Sequence, residues 1–83
     1  MEENYKSVLE LEDMCLISYL AVVGFPIETI NSKKYPQFTF LFKKTEKLSE
    51  SMENFFNGSA LVEPKSYWAK SRELKSRIKS IKN

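Results

Sequence analysis

The C-terminal stretch "SYWAKSRELKSRIKSIKN", residues 66–83, holds the side chains best suited to binding chemistry. On a helix, the spacing i, i+4, i+7, i+11, i+14 places five of them on one face: Trp68, Arg72, Lys75, Lys79 and Lys82. An aromatic ring at the head of such a face can stack on a nucleobase while the cations contact phosphates. Arg72 can also hold a phosphate through two parallel hydrogen bonds, which a lysine cannot do. The pattern predicts a nucleic-acid-binding surface.

The same face has a plainer interpretation as the solvated side of a terminal helix. Trp68 can complete the edge of the core, and long basic side chains commonly cover apolar surface with their stems. Basic residues near a helix C-terminus also interact favourably with the helix dipole without any partner. The exposure of the Trp68 ring therefore decides between a binding surface and a solvated helix face.

Four further lysines could extend a basic surface. They stand at the two ends of a predicted β-hairpin: Lys33, Lys34, Lys43 and Lys44. The alternative is that the first two are ordinary loop lysines and the other two simply end a strand.

The residue types that most enzymes need are missing from the chain. There is no histidine, so the usual general base and the commonest transition-metal ligand are both absent. Cys15 is the single cysteine, and the two glycines, Gly24 and Gly58, each follow a predicted helix rather than forming a phosphate-binding loop. The acidic cluster Glu10, Glu12 and Asp13 is better explained by Asp13 capping a helix than by a metal site. We expect a non-enzymatic protein with no cofactor and no bound metal.

Composition predicts one soluble domain over residues 1–83, of which 42% are hydrophobic. The apolar setting of Cys15 predicts a buried, reduced thiol and therefore a cytoplasmic protein. The N-terminus lacks the basic and apolar order of a signal peptide, and the longest apolar stretch, 14–27, is too short to span a membrane.

The first 32 residues carry six acids and one lysine, whereas the rest carry twelve basic and five acidic residues. Such asymmetry favours an anionic partner, or attraction between the two halves of the chain.

The elements that must position these residues are predicted from periodicity and capping signals. The pattern predicts an α+β domain with a small antiparallel sheet and three helices, in the order β-α-β-β-α-(β)-α. The predicted elements are a strand from Tyr5 to Leu11, a helix over 14–23 behind Asp13, strands at 27–31 and 37–43, a helix over 46–56 behind Thr45, a short extended piece at 60–62, and a helix from about 65 to 81.

Two of these helices carry informative apolar patterns. The 14–23 helix is apolar nearly all round, so we expect it at the centre of the core or in an oligomer interface. In the last helix a single apolar stripe must pack on the domain: Tyr67, Leu74, Ile78 and Ile81.

The aromatic strand, with Phe38, Phe40 and Phe42 on one side, allows two interpretations. Exposed rings on a strand can stack on RNA bases, as in sheet-based RNA readers. Three phenylalanines on one strand face are more often core residues beneath helices, and the glycine-rich signature of the RNA readers is missing. The core interpretation is favoured.

Several short motifs together carry a family resemblance. Asp13 opens an apolar helix that ends at Gly24, an FTFLF strand follows, and the pieces FFNG, VEP and RELK come later in that order. In this order and spacing the chain resembles a family of small phage and bacterial proteins known only as a domain of unknown function. The resemblance covers almost the whole chain and implies the same architecture and a phage or mobile-element setting. It implies no activity, cofactor or catalytic residue.

Two functions remain open from the sequence. The first is a small nucleic-acid-binding protein that uses the Trp68–Lys82 face, helped by the hairpin lysines. The alternative is a protein-interaction inhibitor of anti-defence type, which docks on a host nuclease or another host protein. Homodimerisation through the 14–23 helix is compatible with either function.

Overall fold

The computed structural model describes residues 8–33 and 36–82, the last of these through its backbone only. Within these residues, three helices and three strands form an α+β fold. In chain order they are β1 (Val8–Leu11), α1 (Met14–Val22), β2 (Ile27–Asn31), β3 (Thr39–Lys43), α2 (Glu46–Phe56) and α3 (Pro64–Lys82). The predicted fold class is therefore confirmed. The predicted strand residues Tyr5, Lys6 and Ser7 lie outside the described part of the chain.

The sheet is antiparallel, with β3 between β1 and β2. Leu9 pairs with Phe42 and Leu11 with Phe40 on one side, and Ile30 pairs with Phe40 on the other. Because opposite residues point to the same face, these side chains form one apolar face, which packs into the core. Phe40 and Phe42 are buried there, which confirms the core interpretation for these two rings and leaves them unable to stack on a base. Phe38 is half-buried and lies just before the strand.

On the opposite face of the sheet, one carboxylate links all three strands. Glu10 on β1 accepts a 2.5 Å hydrogen bond from the Thr39 hydroxyl on β3 and a 3.3 Å bond from the Asn31 side-chain amide on β2. Thr39 is buried although its strand alternation points it away from the core. The Glu10 carboxylate therefore acts as a cross-strand acceptor.

Helix α1 lies at the centre of the molecule. Asp13 caps it by accepting hydrogen bonds from the backbone of Cys15 and Leu16, and Gly24, with φ of +113°, follows its end. Five consecutive residues, 16–20, are buried, because the sheet, α2 and α3 cover the helix on different sides. The central interpretation of this apolar helix is confirmed, and little of its surface is left exposed.

Helix α2 begins at its predicted cap, where the Thr45 hydroxyl accepts a 3.1 Å bond from the Leu48 backbone. Leu48 is buried and Phe55, seven residues later on the same side of the helix, is half-buried. Phe56, by contrast, is 67% exposed. It is the last helical residue, rotated about 100° from Phe55, so it points past the helix's contact with the core.

Helix α3 starts at Pro64, where a missing N–H costs nothing, and packs on α1. Leu74 is 1% exposed, and Tyr67 and Ile78 pack against the core. Ile81 is 43% exposed, contrary to the predicted stripe. The nineteen residues of α3 extend about 28 Å against about 13 Å for α1, so the last turn of α3 lies beyond its neighbour.

The segment 60–62 does not add a strand to the sheet. The backbone N–H groups of Ser59 and Ala60 both bond to the carbonyl of Asn54, so the end of α2 holds the start of this connection. Ala60 and Val62 pack against the core, whereas Leu61 between them is exposed. The connection thereby presents two small apolar side chains beside the start of α3.

Candidate functional site

The outer face of α3 carries most of the residues that the sequence predicted for binding. Trp68 is 59% exposed, and three of its predicted basic neighbours, Arg72, Lys75 and Lys79, are exposed on the same side of the helix. The side chain of Lys82 lies outside the described part of the structure. If α3 presented only a solvated face, Trp68 was expected to be buried at the edge of the core. Its ring is exposed instead, which favours the interpretation of this face as a binding surface.

Lys65 is a further member of this face that the sequence prediction missed. It is exposed and stands three residues before Trp68 and seven before Arg72, so it lies on the same side of the helix. The spacing could have revealed it, but its position at the predicted helix boundary hid it. We call Lys65, Arg72, Lys75 and Lys79 the basic row. The basic row spans about 21 Å along the helix axis, with Trp68 inside its first half.

The cations of the basic row have no acidic partner among the described residues. Helix α3 contains seven basic residues and a single acid, Glu73. Glu73 lies on the opposite flank of the helix, where its carboxylate forms a 3.1 Å salt bridge with the Lys70 ammonium group. The one acid within the helix is therefore engaged away from the basic row, and no described carboxylate forms a salt bridge with the row.

An apolar groove adjoins the basic row where the three helices meet. It has a volume of about 580 Å³ and opens to solvent. Its lining comes from α1 (Cys15, Tyr19), the end of α2 (Phe55), the connection (Gly58, Ala60, Val62) and the start of α3 (Pro64, Tyr67, Trp68). We call it the junction groove. Trp68 belongs both to its wall and to the face of the basic row.

Two residues of the junction groove, Tyr67 and Cys15, interact through their polar atoms. The Tyr67 hydroxyl donates to the Cys15 carbonyl at 3.2 Å and lies 3.1 Å from the Cys15 sulfur. The hydrogen bond with Cys15, followed by partial burial and the nearby charge of Asp13, raises the pKa of Tyr67 to about 12. Tyr67 is therefore neutral at physiological pH and holds the start of α3 against α1.

The prediction of a buried Cys15 thiol is wrong. The side chain is exposed because residue 15 is in the first turn of α1 and lines the junction groove instead of facing the sheet. Its apolar neighbours in sequence turn towards the core, as the burial of Leu16 and Ile17 shows.

Lys43 and Lys44, two of the four hairpin lysines, do not join the basic row. Lys43 borders a depression beside Phe25 and Glu28, and Lys44 borders another that contains three glutamates of α2. No residue of α3 lines either depression. Helix α3 packs on α1, whereas Lys43 is the last residue of β3 and Lys44 comes directly after it. Lys33 is exposed, with its backbone N–H bonded to the Asn31 side chain, and Lys34 lies outside the described residues.

The acidic cluster and the apolar stretch also raise the questions of metal binding and membrane spanning. Over residues 8–33 and 36–82, no three acidic or thiol side chains come together in a way that could hold a metal ion. Asp13 and Glu10, from the acidic cluster, are engaged as a helix cap and a cross-strand acceptor. None of the helices in the described part of the chain has the length and apolar character to cross a membrane.

Comparison with known proteins gives a family and no nearer relative. The search of the curated proteins found no match to the chain, and neither did the search of the solved structures. A family model described as "Domain of unknown function (DUF5659)" matches residues 6–80, which include every described element from β1 to nearly the end of α3. The match confirms the resemblance predicted from the apolar helix, the aromatic strand and the FFNG, VEP and RELK pieces. The chain belongs to the DUF5659 family.

Proposed function

We propose that this protein is a non-enzymatic nucleic-acid-binding protein that uses the outer face of α3. One observation carries the proposal: Trp68 is exposed on the same helix face as a row of four cations that have no acidic partner among the described residues. These four cations form no salt bridge within the described part of the chain that would stabilise the fold, and the Trp68 side chain stays mostly in water. Both features are explained by a ligand that carries negative charge and flat aromatic groups.

Phosphates and bases would divide between the two kinds of side chain. Lysines supply point charges along the helix, and Arg72 adds a planar group that can hold a phosphate through two hydrogen bonds. These contacts supply affinity without reading sequence. Trp68 supplies a surface for stacking, which every base can use.

The salt dependence of binding tests the proposal. With four phosphate contacts, the logarithm of the binding constant should fall against the logarithm of salt concentration with a slope of about −3 for single strands. Arg72→Gln should weaken binding and reduce that slope by about 0.7. Arg77→Gln is the matched control, because it removes the same charge from an exposed position on the opposite flank of α3. Equal effects of the two variants, or no binding at low salt, would contradict the proposal.

The second candidate is a protein-interaction inhibitor that docks on a host nuclease or another host protein. The junction groove favours it, because an apolar groove beside a charged rim resembles the centre and rim of a protein interface. The basic row would then steer an acidic partner and set specificity. A tagged protein should retain a host protein, and the double variant Arg72→Glu, Lys75→Glu should lose it. Retention by the variant would contradict this candidate.

We also propose a cytoplasmic location and a phage or mobile-element setting. Cys15 is exposed and unpaired, which suits a reducing compartment, and the family resemblance supports the setting.

Homodimerisation through the 14–23 helix remains a prediction. Since residues 16–20 are buried within the chain, such a dimer would have to use the ends of the helix, near Cys15 and Val23. Light scattering at micromolar concentration tests it.

A further inference from the structure

The position of Trp68 links the basic row to the junction groove. Lys65 stands about one helical turn before Trp68 and Arg72 about one turn after it, so cations lie on both sides of the ring along the helix axis. The ring itself lines the groove. A strand that follows the basic row therefore passes the mouth of the groove at Trp68.

Aromatic rings from all three helices line or support the groove. Tyr19 of α1 and Phe55 of α2 have ring centroids 5.8 Å apart, and Phe56 braces Phe55 edge-on at 5.5 Å. Tyr67 and Trp68 form the α3 side. These rings offer flat apolar surface, which suits the face of a nucleobase.

Few polar side chains line the groove. Tyr67 already donates its hydroxyl hydrogen to Cys15, and Ala60, Val62 and Pro64 have no polar side-chain atoms. The Tyr19 hydroxyl and the Trp68 indole N–H, neither of which is specific to one base, are the main side-chain donors that remain. Since the groove opens to solvent, the polar edge of a stacked base can remain hydrated, which avoids the cost of burying it unpaired. A groove that binds the flat face of a base and leaves its polar edge in water should accept any of the bases.

Duplex fits this arrangement less well than a single strand. Paired bases present no face to Trp68 unless they are first unstacked, which costs free energy. A duplex wide enough to reach both flanks of α3 would also bring phosphates towards Glu73, on the flank opposite the basic row. A single strand meets only the cations of the basic row.

We infer that the junction groove binds an unpaired nucleobase beside Trp68, while the basic row holds the phosphates on either side of it. The ligand class is single-stranded nucleic acid, DNA or RNA, recognised without strong sequence preference. This inference rests on the proposed function and narrows its substrate.

The test compares four fluorescently labelled 15-mers at low salt: oligo-dT, oligo-dA, oligo-U and a mixed-sequence DNA duplex. We expect the single strands to bind more tightly than the duplex and to differ little from one another, and to quench Trp68 fluorescence. Trp68→Ala should weaken single-strand binding by about 5- to 150-fold, the range that one stacked base accounts for, and should change duplex binding little.

Two further variants separate the groove from the general surface. Ala60→Leu adds bulk to the groove without changing charge, and should weaken single-strand binding while the salt slope stays the same. Leu61→Ala is the control, since it shortens an exposed apolar side chain that does not line the groove. Circular dichroism verifies that each variant is folded.

The outcomes distinguish this inference from the function on which it rests. Duplex binding as tight as single-strand binding, with Trp68→Ala weakening both equally, would overturn the groove assignment and leave nucleic-acid binding standing. Failure of all four oligonucleotides to bind at low salt would overturn both, and would leave protein docking as the remaining candidate for the groove.

Discussion

Helices α1 and α3 pack against each other, yet they divide their surfaces in opposite ways. Five consecutive residues of α1, 16–20, are buried, and they include no charged side chain. In α3, by contrast, Ser71 and Leu74 are the buried residues among those described, and the outer side carries Trp68 and the basic row. The difference teaches that α1 supplies stability and that the outer face of α3 is left available for a partner. Substitutions should therefore separate folding from binding.

The largest expected effect is at the centre of α1. Leu20 is fully buried in the core, so Leu20→Ala should lower the free energy of unfolding by about 2–5 kcal/mol through lost burial and the cavity it leaves. Chemical denaturation measures it. Leu61→Ala makes the same chemical change at an exposed leucine and should alter stability by less than about 0.5 kcal/mol. Similar values for the two variants would break the contrast between core and surface.

A smaller effect, of opposite sign, is expected at Ser18 in the same helix. Its hydroxyl is fully buried and has no hydrogen-bond partner among the described residues. Ser18→Ala should therefore raise the free energy of unfolding by about 1 kcal/mol, because it removes an uncompensated desolvated group. Ser76→Ala on the exposed side of α3 measures how much of that gain comes from helix propensity alone. A destabilised Ser18→Ala would show that the hydroxyl is satisfied in solution.

The start of α3 should respond to acid. The Glu63 carboxylate accepts hydrogen bonds from the Ser66 and Lys65 backbone and from the Ser66 hydroxyl, and these bonds lower the pKa of Glu63 below 4.5. Because the pKa of Glu63 is lower in the folded than in the unfolded protein, the ionised carboxylate stabilises the folded state above the unfolded pKa of 4.5. This stabilisation is lost as the pH falls through the pKa of Glu63 in the folded protein.

Glu63→Gln tests this assignment. Thermal unfolding midpoints, measured from pH 6 down to pH 3, should show that the wild type loses stability more steeply than Glu63→Gln below pH 4.5. Parallel curves would contradict the capping role of the ionised carboxylate.

The smallest effect on stability is expected at Trp68. Because the ring is mostly in water, Trp68→Ala should change the free energy of unfolding by less than about 0.5 kcal/mol, as judged by circular dichroism. A loss as large as that of Leu20→Ala would assign the ring to the core and remove the reason for a binding surface on α3.

The sequence predicted the elements well because their ends carry local signals. Asp13 and Thr45 cap helices with their own side chains, and Pro64 and Gly24 mark a start and an end through backbone geometry alone. The short extended piece predicted at 60–62 adds no strand to the sheet, because the backbone of Ser59 and Ala60 bonds to Asn54 at the end of α2, which composition alone could not reveal.

The site was predicted in part for the same reason. Helical spacing alone puts Arg72, Lys75 and Lys79 beside Trp68, so that face could be predicted. The junction groove could not be, because Tyr19 and Phe55 meet Tyr67 only through the packing of three helices. The exposure of Cys15 depends on that same packing.

The most direct test follows backbone amide chemical shifts while an oligo-dT strand is added at low salt. We predict the largest changes at α3 residues of the basic row and at Trp68, with little change at Leu16 and Ile17 in the buried centre of α1. Changes concentrated on the face of the sheet that carries Glu10 and Thr29 would contradict the assignment of binding to α3, and so would a spectrum that does not change at all.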